Sequence, residues 1–577
     1  MMEKKWIIKE RGDSAVVRQL AERLEISDSL ANLMVQRGIT TPGEAQAFFY
    51  PSLDSLHDPF LMKDMNIAVE RLSSAIKKNE KILVYGDYDV DGITAVALVY
   101  SFLKEHYSNV DYYIPDRYKE GYGVSFQGLD YASENNCRLI ITLDCGIKAT
   151  EKIQYAKSRG IDVIICDHHY PGDEIPMAHA VLDPKQPGCT YPYKELSGCG
   201  VGFKLIHAYS KIHAIPFTEI IQYLDLVAVS IASDIVPITG ENRVLAYYGL
   251  KQLNESPRTG LREVIREAEI IRTLTIEDVV FRIGPRINAA GRMESGARAV
   301  ELLISSDPKL AYGISKEIDN YNIERRNVDR LITTEAMRMI SEDKRTSNAK
   351  TTVLFNPSWK KGVIGIVASR LIETYYRPTV ILTESNGFAT GSARSVQGYD
   401  LYQAIESCSD LLESFGGHMF AAGLTLKKEN IRPFAERFEQ YVNRTITEDQ
   451  LQPRIFIDAG LSFSEIDDEF FRVMNQFQPY GPENMAPVFM SRNVFDTGSG
   501  RMVGSSGEHL KLELYQEGDP LKILPAIAFN QAHRFEYIRR GEPVDICYSI
   551  ELNEFRGVRS LQLNIKDIKS ARVAAPS

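Results

Sequence analysis

The sequence predicts an α/β protein in which a parallel-sheet lobe and a second α/β lobe are joined by a long helix and followed by a small C-terminal β-barrel. Three patterns lead to this prediction. From Met65 onward, short apolar runs alternate with helical segments, which is typical of a parallel sheet flanked by helices. Residues 308–344 form a charged stretch with few breakers, as a long connecting helix does. From Arg454 onward, short strands alternate apolar and polar residues, as in a small barrel.

Composition places the chain among ordinary globular proteins. Its 577 residues, 44% of them hydrophobic and 25% charged, allow about three or four domains. An apolar run of membrane-spanning length is absent from the sequence, and the start MMEKKWIIKERGD lacks the apolar core of a secretory signal, so we expect a cytoplasmic location. The seven cysteines form no C-x-x-C pair, which favours reduced thiols over disulfides or structural zinc.

Charge and motifs exclude some classes of function and leave others open. The net charge of −10 gives no overall attraction to nucleic acid, but local Lys and Arg clusters decide phosphate binding. The sequence contains no G-x-x-x-x-G-K-[ST] loop, so an ATP-driven motor is unsupported.

Five segments follow one another along the chain. We predict a helical lead-in over 1–64, an α/β domain over 65–305, a connecting helix over 306–345, a second α/β domain over 346–447 and a barrel over 448–577. The first α/β domain has predicted helices at Ala68–Lys78, Ile93–Glu105, Phe126–Glu134 and Lys148–Arg159, and predicted strands at Ile82–Tyr85, Val110–Ile114, Arg138–Leu143 and Asp162–Cys166.

Three aspartates follow the first of these strands. In KILVYGDYDVDGITA, Asp87, Asp89 and Asp91 come just after a buried apolar run. Ligands bind at this edge of an open α/β sheet, and clustered carboxylates there require a cation. The opening D-x-D-x-D-G also matches a calcium loop, but the twelfth position is Leu98 instead of Glu and a strand precedes it. A solvated acidic turn remains open from this stretch alone.

Two further strands end in the same way. Asp144 follows the strand that begins at Arg138, and Asp167, His168 and His169 follow the next strand. A single acid or histidine in such a place is usually structural. Three strand ends that converge on Asp and His suit two Mn²⁺ or Mg²⁺ ions, which would make the site a candidate for metal-assisted hydrolysis.

The motifs GDYDVDGITA, LDCGI and DHH, in this order, resemble the DHH phosphoesterase superfamily. The chain is similar to the RecJ-like family within it, whose members are single-stranded-DNA-specific 5′→3′ exonucleases, from about residue 65 to the end. The resemblance continues through PDRYKEGYG (Pro115–Gly123), DLVAVSIASDIVP (Asp225–Pro237), RIGPRINAAGRM (Arg282–Met293), GSARS (Gly391–Ser395) and FGGHMFAAG (Phe415–Gly423).

The resemblance implies roles for particular residues. Asp87 and His169 are implied as catalytic participants, with Asp87 ranked below the two aspartates that follow it. Asp225 is the rival to Asp234 as a ligand, and we prefer Asp234 because it follows the small, apolar end of a helix. The implied metal ligands are Asp89, Asp91, Asp144, His168 and Asp234.

Two other segments are candidates for phosphate contacts. The resemblance implies that Arg286, Asn288 and Arg292 contact the DNA backbone near the metals, and guanidinium groups suit phosphate. Residues 197–202, SGCGVG, resemble part of a phosphate-cradling loop but lack the G-x-G-x-x-G spacing. A tight turn that allows close packing near the site is the other interpretation.

In the RecJ-like family the second α/β domain is the DHH-associated domain, which closes over the active site. Ser392 and Arg394 resemble its grip on a 5′-phosphate, Arg117 would assist from the first lobe, and His418 lies in the same domain. Only a strand end can fill a pocket for a terminal phosphate. The resemblance therefore implies an exonuclease with 5′ selectivity.

The barrel fits an OB-fold, which binds single strands by stacking bases on aromatic side chains. The loop PYGPENMAP departs from the family's Gly-Asn-Pro turn at Glu483 and Met485, which puts its local geometry in doubt. The sequence does not separate stacking residues from ordinary core among four aromatics: Phe495, Tyr515, Phe529 and Phe535.

Three functions are compatible with these observations. The first is a metal-dependent 5′→3′ exonuclease that hydrolyses single-stranded DNA to mononucleotides in DNA repair and recombination, with a helicase and a single-strand-binding protein as plausible partners. The second is a DHH phosphodiesterase of short oligonucleotides or cyclic dinucleotides. The third is a non-catalytic scaffold that binds single-stranded DNA. The barrel and long connector favour the first over the second, and the intact acids oppose the third.

Overall fold

The computed structural model describes residues 3–555 and 557–571. Contacts divide them into two units. The lobe unit is Leu53–Leu451, and the barrel unit joins the described residues up to Ser52 to those from Gln452 onward. Within the described part of the chain, every helix is too short or too polar to cross a membrane.

The segment at the start of the chain belongs to the barrel unit. Its elements are β1 (Lys5–Ile8), α1 (Ser14–Leu24), α2 (Asp28–Val35) and α3 (Pro42–Phe49). The Thr41 side chain caps α3 in a capping box with Glu44, so the predicted Thr-Pro-Gly break starts a helix. The lead-in predicted over 1–64 thus contains a strand that sequence reasoning missed, and it divides between the two units at Ser52.

The first lobe is built on a five-stranded sheet in the order β3-β2-β4-β5-β6. All of its pairings are parallel, which confirms the predicted parallel-sheet lobe. Its elements are α4 (Met65–Lys77), β2 (Lys81–Gly86), α5 (Val90–His106), β3 (Val110–Tyr113), α6 (Phe126–Glu134), β4 (Cys137–Leu143), α7 (Thr150–Ser158), β5 (Asp162–Cys166) and β6 (Ala180–Leu182). The strands β2, β4 and β5 are direct neighbours, so their carboxyl ends lie side by side.

A helical layer completes this lobe. Its members are α8 (Gly198–Ile212), α9 (Phe217–Ile220), α10 (Leu224–Ser233), α11 (Gly240–Glu255), α12 (Thr259–Glu267), α13 (Ile276–Asp278), a π-helical turn (Val279–Ile283), α14 (Gly284–Met293) and α15 (Gly296–Ile304). The helices α5, α8 and α10 are buried along most of their length and share one core with the sheet. Burial of this apolar surface stabilises the lobe and fixes the helix ends that reach the site.

The predicted connector is a single helix, α16 (Pro308–Glu342), of 35 residues and about 50 Å in length. Near its start, Ile314 and Ile318 are buried in the core of the first lobe. Near its end, Ile332, Ala336 and Ile340 are buried against the second lobe. A short helix α17 (Lys344–Asn348) follows.

The second lobe has a five-stranded mixed sheet in the order β10-β11-β9-β8-β7, in which only β7 and β8 run parallel. Its elements are β7 (Thr352–Phe355), α18 (Ile364–Tyr375), β8 (Thr379–Ser385), β9 (Phe388–Arg394), α19 (Leu401–Glu406), β10 (Leu412–His418), β11 (Ala421–Leu426) and α20 (Ile431–Thr445). Gly365, in the first turn of α18, lies so close to β9 that a Cβ there would be 2.9 Å from Ser392 Oγ.

The C-terminal strands close into a barrel, as predicted. The sheet order β13-β14-β18-β19-β17-β16-β15 is joined on itself by pairing of β14 with β16. The elements are β12 (Arg454–Ile457), β13 (Ala459–Gly460), α21 (Asp468–Asn475), β14 (Phe489–Asp496), β15 (Arg501–Val503), β16 (His509–Gln516), β17 (Asp519–Ala528), α22 (Phe535–Arg539), β18 (Val544–Phe555) and β19 (Val558–Ser570). Strand β1 pairs in parallel with β12.

The structure separates the four aromatics that the sequence left undecided. Phe495 and Tyr515 are half-buried and stack on each other with ring centroids 5.5 Å apart. Phe529 is 51% exposed, and Phe535 packs against the barrel core. In the unusual loop, Glu483 takes a left-handed φ of 61°, and the Asn484 side chain donates to the carbonyls of Phe477 and Pro479.

Asp458→Ala should destabilise the barrel unit alone. The buried Asp458 carboxylate accepts from Lys9 Nζ at 2.8 Å and from the backbone N–H of Val488 at 2.8 Å, so its loss leaves a buried donor unpaired. We expect a cost of about 2–4 kcal/mol in the free energy of unfolding. The chain has two tryptophans, Trp6 in the barrel unit and Trp359 in the lobe unit, so fluorescence can follow each unit separately.

In a Trp359→Phe background, the denaturation midpoint reported by Trp6 should fall. In a Trp6→Phe background, the midpoint reported by Trp359 should move little. Equal shifts of both midpoints would show that the units unfold together and would contradict this prediction.

Candidate metal centre and phosphate pocket

Four chain segments bring acids and imidazoles to one edge of the first sheet. Asp87 follows β2, Asp144 follows β4, His168 follows β5, and Asp234 is the C-cap of α10. The first three converge because the parallel strands that precede them are neighbours. Asp144 holds a left-handed φ of 60°, a conformation that an ordinary L-residue adopts only when its surroundings impose it.

His168 lies at the middle of this group. Its Nε2 is 3.2 Å from Asp144 Oδ1, 3.4 Å from Asp234 Oδ2 and 3.8 Å from Asp91 Oδ2. Two sets of candidate ligand atoms fall within 4.8 Å of one another: Asp91, His168 and Asp234 form one, and Asp144, His168 and His169 form the other. The structure thus brings together four of the five predicted metal ligands.

Asp89, the fifth, lies outside both sets. One of its carboxylate oxygens accepts from Gly92 N at 3.1 Å and caps α5. Its charge still acts on the others: burial raises the pKa values of Asp87 and Asp91, and repulsion from Asp89 adds to both shifts. Asp87 is fully buried, with Oδ1 bonded to Gly123 N and Oδ2 unpaired within the described part of the chain.

The glycine-rich segment 197–202 is the N-terminus of α8 and orients Asp91. The backbone N–H groups of Gly198 and Cys199 donate to the two Asp91 carboxylate oxygens at 2.7 and 2.8 Å, and Ser230 Oγ donates to Oδ1 at 2.7 Å. A Cβ on Gly198 would lie 2.6 Å from the Asp144 side chain. The structure therefore supports close packing near the site, and these amides hold a carboxylate instead of a phosphate.

The metal-free centre is electrostatically unfavourable. Burial, with repulsion from Asp89, raises the pKa of Asp87 to about 8 and that of Asp91 to about 6. Burial and then the neighbouring carboxylates hold the pKa values of Asp144 and Asp234 well above their ordinary range. Burial also lowers the pKa of His168 to about 3, which keeps this imidazole neutral and able to ligate. Three acids around a neutral imidazole, Asp91, Asp144 and Asp234, fit a divalent cation.

Asp167 is a functional residue that sequence reasoning left without a role. Its Oδ1 accepts from His169 Nδ1 at 2.7 Å, and its Oδ2 accepts from Ile147 N at 2.9 Å. Burial opposes a charged His169, but the bond and ion pair with Asp167 outweigh it and raise the pKa of His169 to about 9. The signal was present in the DHH tripeptide. His169 Nε2 is also 3.3 Å from the Tyr122 hydroxyl.

The structure separates the two rival aspartates. The fully buried Asp225 forms an ion pair with Arg258, whose Nη2 is 2.9 Å from Oδ1 and whose Nε is 3.0 Å from Oδ2. Asp234 faces His168. The geometry favours Asp234 as the ligand, in keeping with the preference from sequence.

Arg286 forms bonds within the lobe that the sequence did not reveal. Its Nε donates to Asp319 at 2.9 Å, and its two other nitrogens donate to the carbonyls of Arg282 and Glu267 at 2.7 and 3.2 Å. The contact of Arg286 with DNA stays a prediction, and α16 supplies an acid that the local sequence does not reveal. Arg286 is a structural link between α14 and α16.

The other predicted contacts gather at a basic pocket beside the centre. Arg117 stacks over the Tyr88 ring at 4.0 Å, and its Nε has no partner among the residues described. Arg394 Nη1 donates to Ser392 Oγ at 2.9 Å, on the strand against which Gly365 packs. Arg292 Nη1 donates to the Gly362 carbonyl at 2.8 Å. Among the described residues, these three arginines lie together and have no acidic partner in their hydrogen bonds.

The pKa values of Arg292 and His418 reflect the positive charges that surround them. Burial, then Arg117, Arg325 and Arg394, lower the pKa of Arg292 to about 9. Burial, then Arg394 and His169, lower the pKa of His418. His418 therefore stands within the field of both the pocket and the centre. Arg325 was not predicted, because it is one charge among many in the helix ERRNVDR.

In metal-free protein, stability should fall as the pH rises from about 6.5 to 9. Asp87 keeps its proton to about pH 8 when folded, whereas an unfolded aspartate has lost it, so the folded state binds more protons. His169, with a raised pKa of about 9, loses its favourable charge over the same window. Each such proton changes the unfolding free energy by up to about 1.4 kcal/mol per pH unit.

Denaturant titrations in EDTA at pH 6.5 and 8.5 measure this slope. Excess Mn²⁺ should flatten or reverse it, because the cation takes the place of the protons. Stability in EDTA that rises over this range would contradict the prediction.

Comparison with known protein families first identifies the class to which this fold and site belong. Residues 81–231 match the DHH family, N-terminal domain; residues 348–444 match the DHHA1 domain; and residues 457–567 match the RecJ OB domain. The chain is therefore a DHH-type protein with an associated DHHA1 domain and an OB domain.

Comparison with individual proteins identifies the family within this class. The single-stranded-DNA-specific exonuclease RecJ of Bacillus subtilis is 38% identical over 98% of this chain and 70% of its own length. That of Escherichia coli is 31% identical over 94% of this chain and 96% of its own length. The crystal structure of RecJ in complex with Mn²⁺ from Thermus thermophilus superposes with a TM-score of 0.83 at 26% identity, over 98% of this chain and 80% of that one. A second Thermus thermophilus RecJ structure carries Mg²⁺. The chain belongs to the RecJ family.

Proposed function

We propose that this chain is a metal-dependent exonuclease that degrades single-stranded DNA from its 5′ end to mononucleotides, in DNA repair and recombination. The observation that carries the proposal is the basic pocket formed by both lobes directly beside the carboxylate and imidazole centre. A terminal phosphate in the pocket would place the first phosphodiester bond at the centre. The names of the curated relatives support the substrate.

Asp91, Asp144, His168 and Asp234 are the side chains that would hold divalent ions, with Asp89 beside them. When bound, Mn²⁺ or Mg²⁺ would supply Lewis acidity that activates water and neutralises phosphoryl charge. The chain's part is to fix the ligands. The α8 amides and Ser230 hold Asp91 in one orientation, and burial keeps His168 neutral.

His169 supplies a positive charge and an N–H group at the centre. Its bond to Asp167 uses Nδ1, which leaves Nε2 to face the Tyr122 hydroxyl and the substrate side. An imidazolium held there would stabilise charge that develops on phosphoryl oxygens. Asp167 is therefore a positioning residue. Asp87 is fully buried and is not one of the grouped candidate ligands. We propose that it supports Gly123 and its loop.

The pocket gives the polarity. Arg394, Ser392 and Arg117 offer guanidinium and hydroxyl groups to a dianionic terminal phosphate, which an internal phosphodiester cannot replace. Cleavage of the P–O3′ bond leaves a new 5′-phosphate on the shortened strand. Each turnover then regenerates the group that the pocket binds.

We also propose a cytoplasmic location and action together with a helicase and a single-strand-binding protein. The seven cysteines are unpaired thiols, as expected in a reducing compartment. A single-strand-specific nuclease needs another protein to separate duplex DNA. Pull-down of the purified chain with each candidate partner would test this.

One assay tests the proposed activity. Purified protein with Mn²⁺ is mixed with single strands labelled at the 5′ or the 3′ end, and products are resolved by length. Immediate release of labelled mononucleotide from the 5′ label alone supports the proposal. Degradation of only very short oligomers would favour the oligonucleotide phosphodiesterase, and tight binding without hydrolysis would favour the scaffold.

A further inference from the structure

A cavity of about 210 Å³ opens next to the metal centre and shares Arg292 with the basic pocket. Its lining includes Ser233 and Gly284 from the first lobe, Arg325 from α16 and Ile366 from the second lobe. Ser233 is the neighbour of Asp234, so the cavity begins one residue from the centre. Gly284 is required here because a Cβ would lie 2.8 Å from Ser233 Oγ.

The cavity presents polar atoms that have nothing to bind. Ser233 Oγ, Asn288 Oδ1 and Arg325 Nε are buried and find no hydrogen-bond partner in the described part of the chain. Arg292 also lines it. Buried polar atoms left unpaired are costly, so a cluster of them marks a place for a ligand.

Among the described residues, the two arginines of the cavity form hydrogen bonds with neutral partners only. Burial lowers the pKa of Arg325, and the charge of Asp329 partly offsets this. Arg325 Nη2 donates to the neutral Asn322 amide at 2.9 Å, and Arg292 donates to a backbone carbonyl. The nearby Asp329 carboxylate is taken by Arg370, with Nη2 at 2.8 Å. Two guanidinium groups with neutral hydrogen-bond partners, together with the Ser233 hydroxyl, are a donor set for phosphate, whereas the Asn288 oxygen is an acceptor and does not belong to it.

We infer that this cavity binds the next phosphate on the 3′ side of the scissile phosphate. The inference rests on the proposed function, which already assigns two consecutive phosphates of the strand. The first, at the 5′ end, belongs to Arg117, Ser392 and Arg394, and the second belongs to the metal centre. The cavity is a third anion-binding site, next to the metal centre. We assign the third phosphate of the strand to it.

The inference makes substrate length a property of this cavity. A 5′-phosphorylated dinucleotide has a terminal and a scissile phosphate only, whereas a trinucleotide has the third. Charged hydrogen bonds to one phosphate should raise kcat/KM for the trinucleotide by about 10- to 100-fold over the dinucleotide. A trinucleotide whose second linkage is an uncharged methylphosphonate should behave like the dinucleotide.

Arg325→Met tests the residue, since it keeps length and removes charge. It should abolish the advantage of the trinucleotide and change dinucleotide cleavage by less than about threefold. Arg326→Ala, at the exposed neighbouring position on α16, is the matched control and should keep the full advantage. Arg325→Lys should retain part of it.

Two outcomes would overturn the inference: loss of dinucleotide and trinucleotide cleavage in equal measure, or wild-type cleavage that is insensitive to the methylphosphonate. Affinities of the same oligonucleotides in EDTA, from competition with a labelled strand, give a readout that does not need turnover. Wild-type protein that cleaves none of the three substrates would sink the proposed function. The difference in affinity between trinucleotide and methylphosphonate, and its loss in Arg325→Met, would still decide the role of the cavity.

Discussion

Asp234→Asn should lower kcat for single-stranded DNA by more than about 100-fold and leave the fold intact. Loss of a residue one shell from a metal commonly costs 10- to 100-fold, and a ligand should cost more. Among the described residues, the Asp234 carboxylate faces His168 Nε2 at 3.4 Å without a hydrogen bond to it, so the amide breaks no structural bond. Affinity for a single strand should stay within about tenfold, because the basic pocket is untouched.

Asp225→Asn is the matched control: Asp225 lies in the first turn of α10, nine residues before Asp234 at the C-cap of the same helix. This change removes the charge that pairs with Arg258 in a fully buried position. We expect about 3–5 kcal/mol of lost stability and near-normal kcat in the folded fraction. Urea denaturation and initial rates separate the two variants. If Asp225→Asn abolished activity without loss of stability, the assignment of Asp234 would be wrong.

Arg394→Ala should lower kcat/KM on 5′-phosphorylated strands by about 10- to 100-fold. Arg394 is held by Ser392 and by the Ala393 carbonyl, and burial lowers its pKa without a carboxylate to offset that burial. Such a cation is a ready partner for a terminal phosphate. On strands with a 5′-hydroxyl the variant and the wild type should be nearly equal, because the group that Arg394 binds is then absent.

Arg432→Ala is the control for this second prediction. Arg432 lies on α20 of the same lobe, is 80% exposed and pairs with Glu436, so its loss should affect neither substrate. Steady-state rates on the two strand types give the ratio directly. An equal fall of both rates in Arg394→Ala would show that the residue supports the fold of the second lobe instead of a 5′-phosphate.

Local sequence patterns predicted the strands that carry the residues of the metal centre. The apolar runs before Asp87, Asp144 and His168 are short and bounded by polar residues, and parallel neighbours bring their ends together wherever α/β alternation holds. A candidate metal edge could therefore be read from residues 81–169 alone. The connecting helix and the barrel were equally visible, because length and alternation are properties of continuous stretches.

Local patterns could not predict which side chains and backbone groups form hydrogen bonds or ion pairs when they lie far apart in the sequence. Asp91 is held by Gly198 and Ser230, which lie 107 and 139 residues away. Arg286 pairs with Asp319, and nothing in the loop around Arg286 indicates that a helix supplies this acid. Which guanidinium meets a carboxylate and which remains available for phosphate depends on tertiary geometry, so Arg286 and Arg325 looked alike in sequence.

The pairing of β1 with β12 has a consequence for biosynthesis. Lys5–Ile8 leaves the ribosome about 450 residues before Arg454–Ile457, which at about 5–20 residues per second is roughly 20–90 s. During that time the apolar faces of α1 and α2, with Val17, Leu20 and Leu33, lack the core that later buries them. The segment from β1 to α3 therefore needs protection from aggregation until the barrel strands have been made.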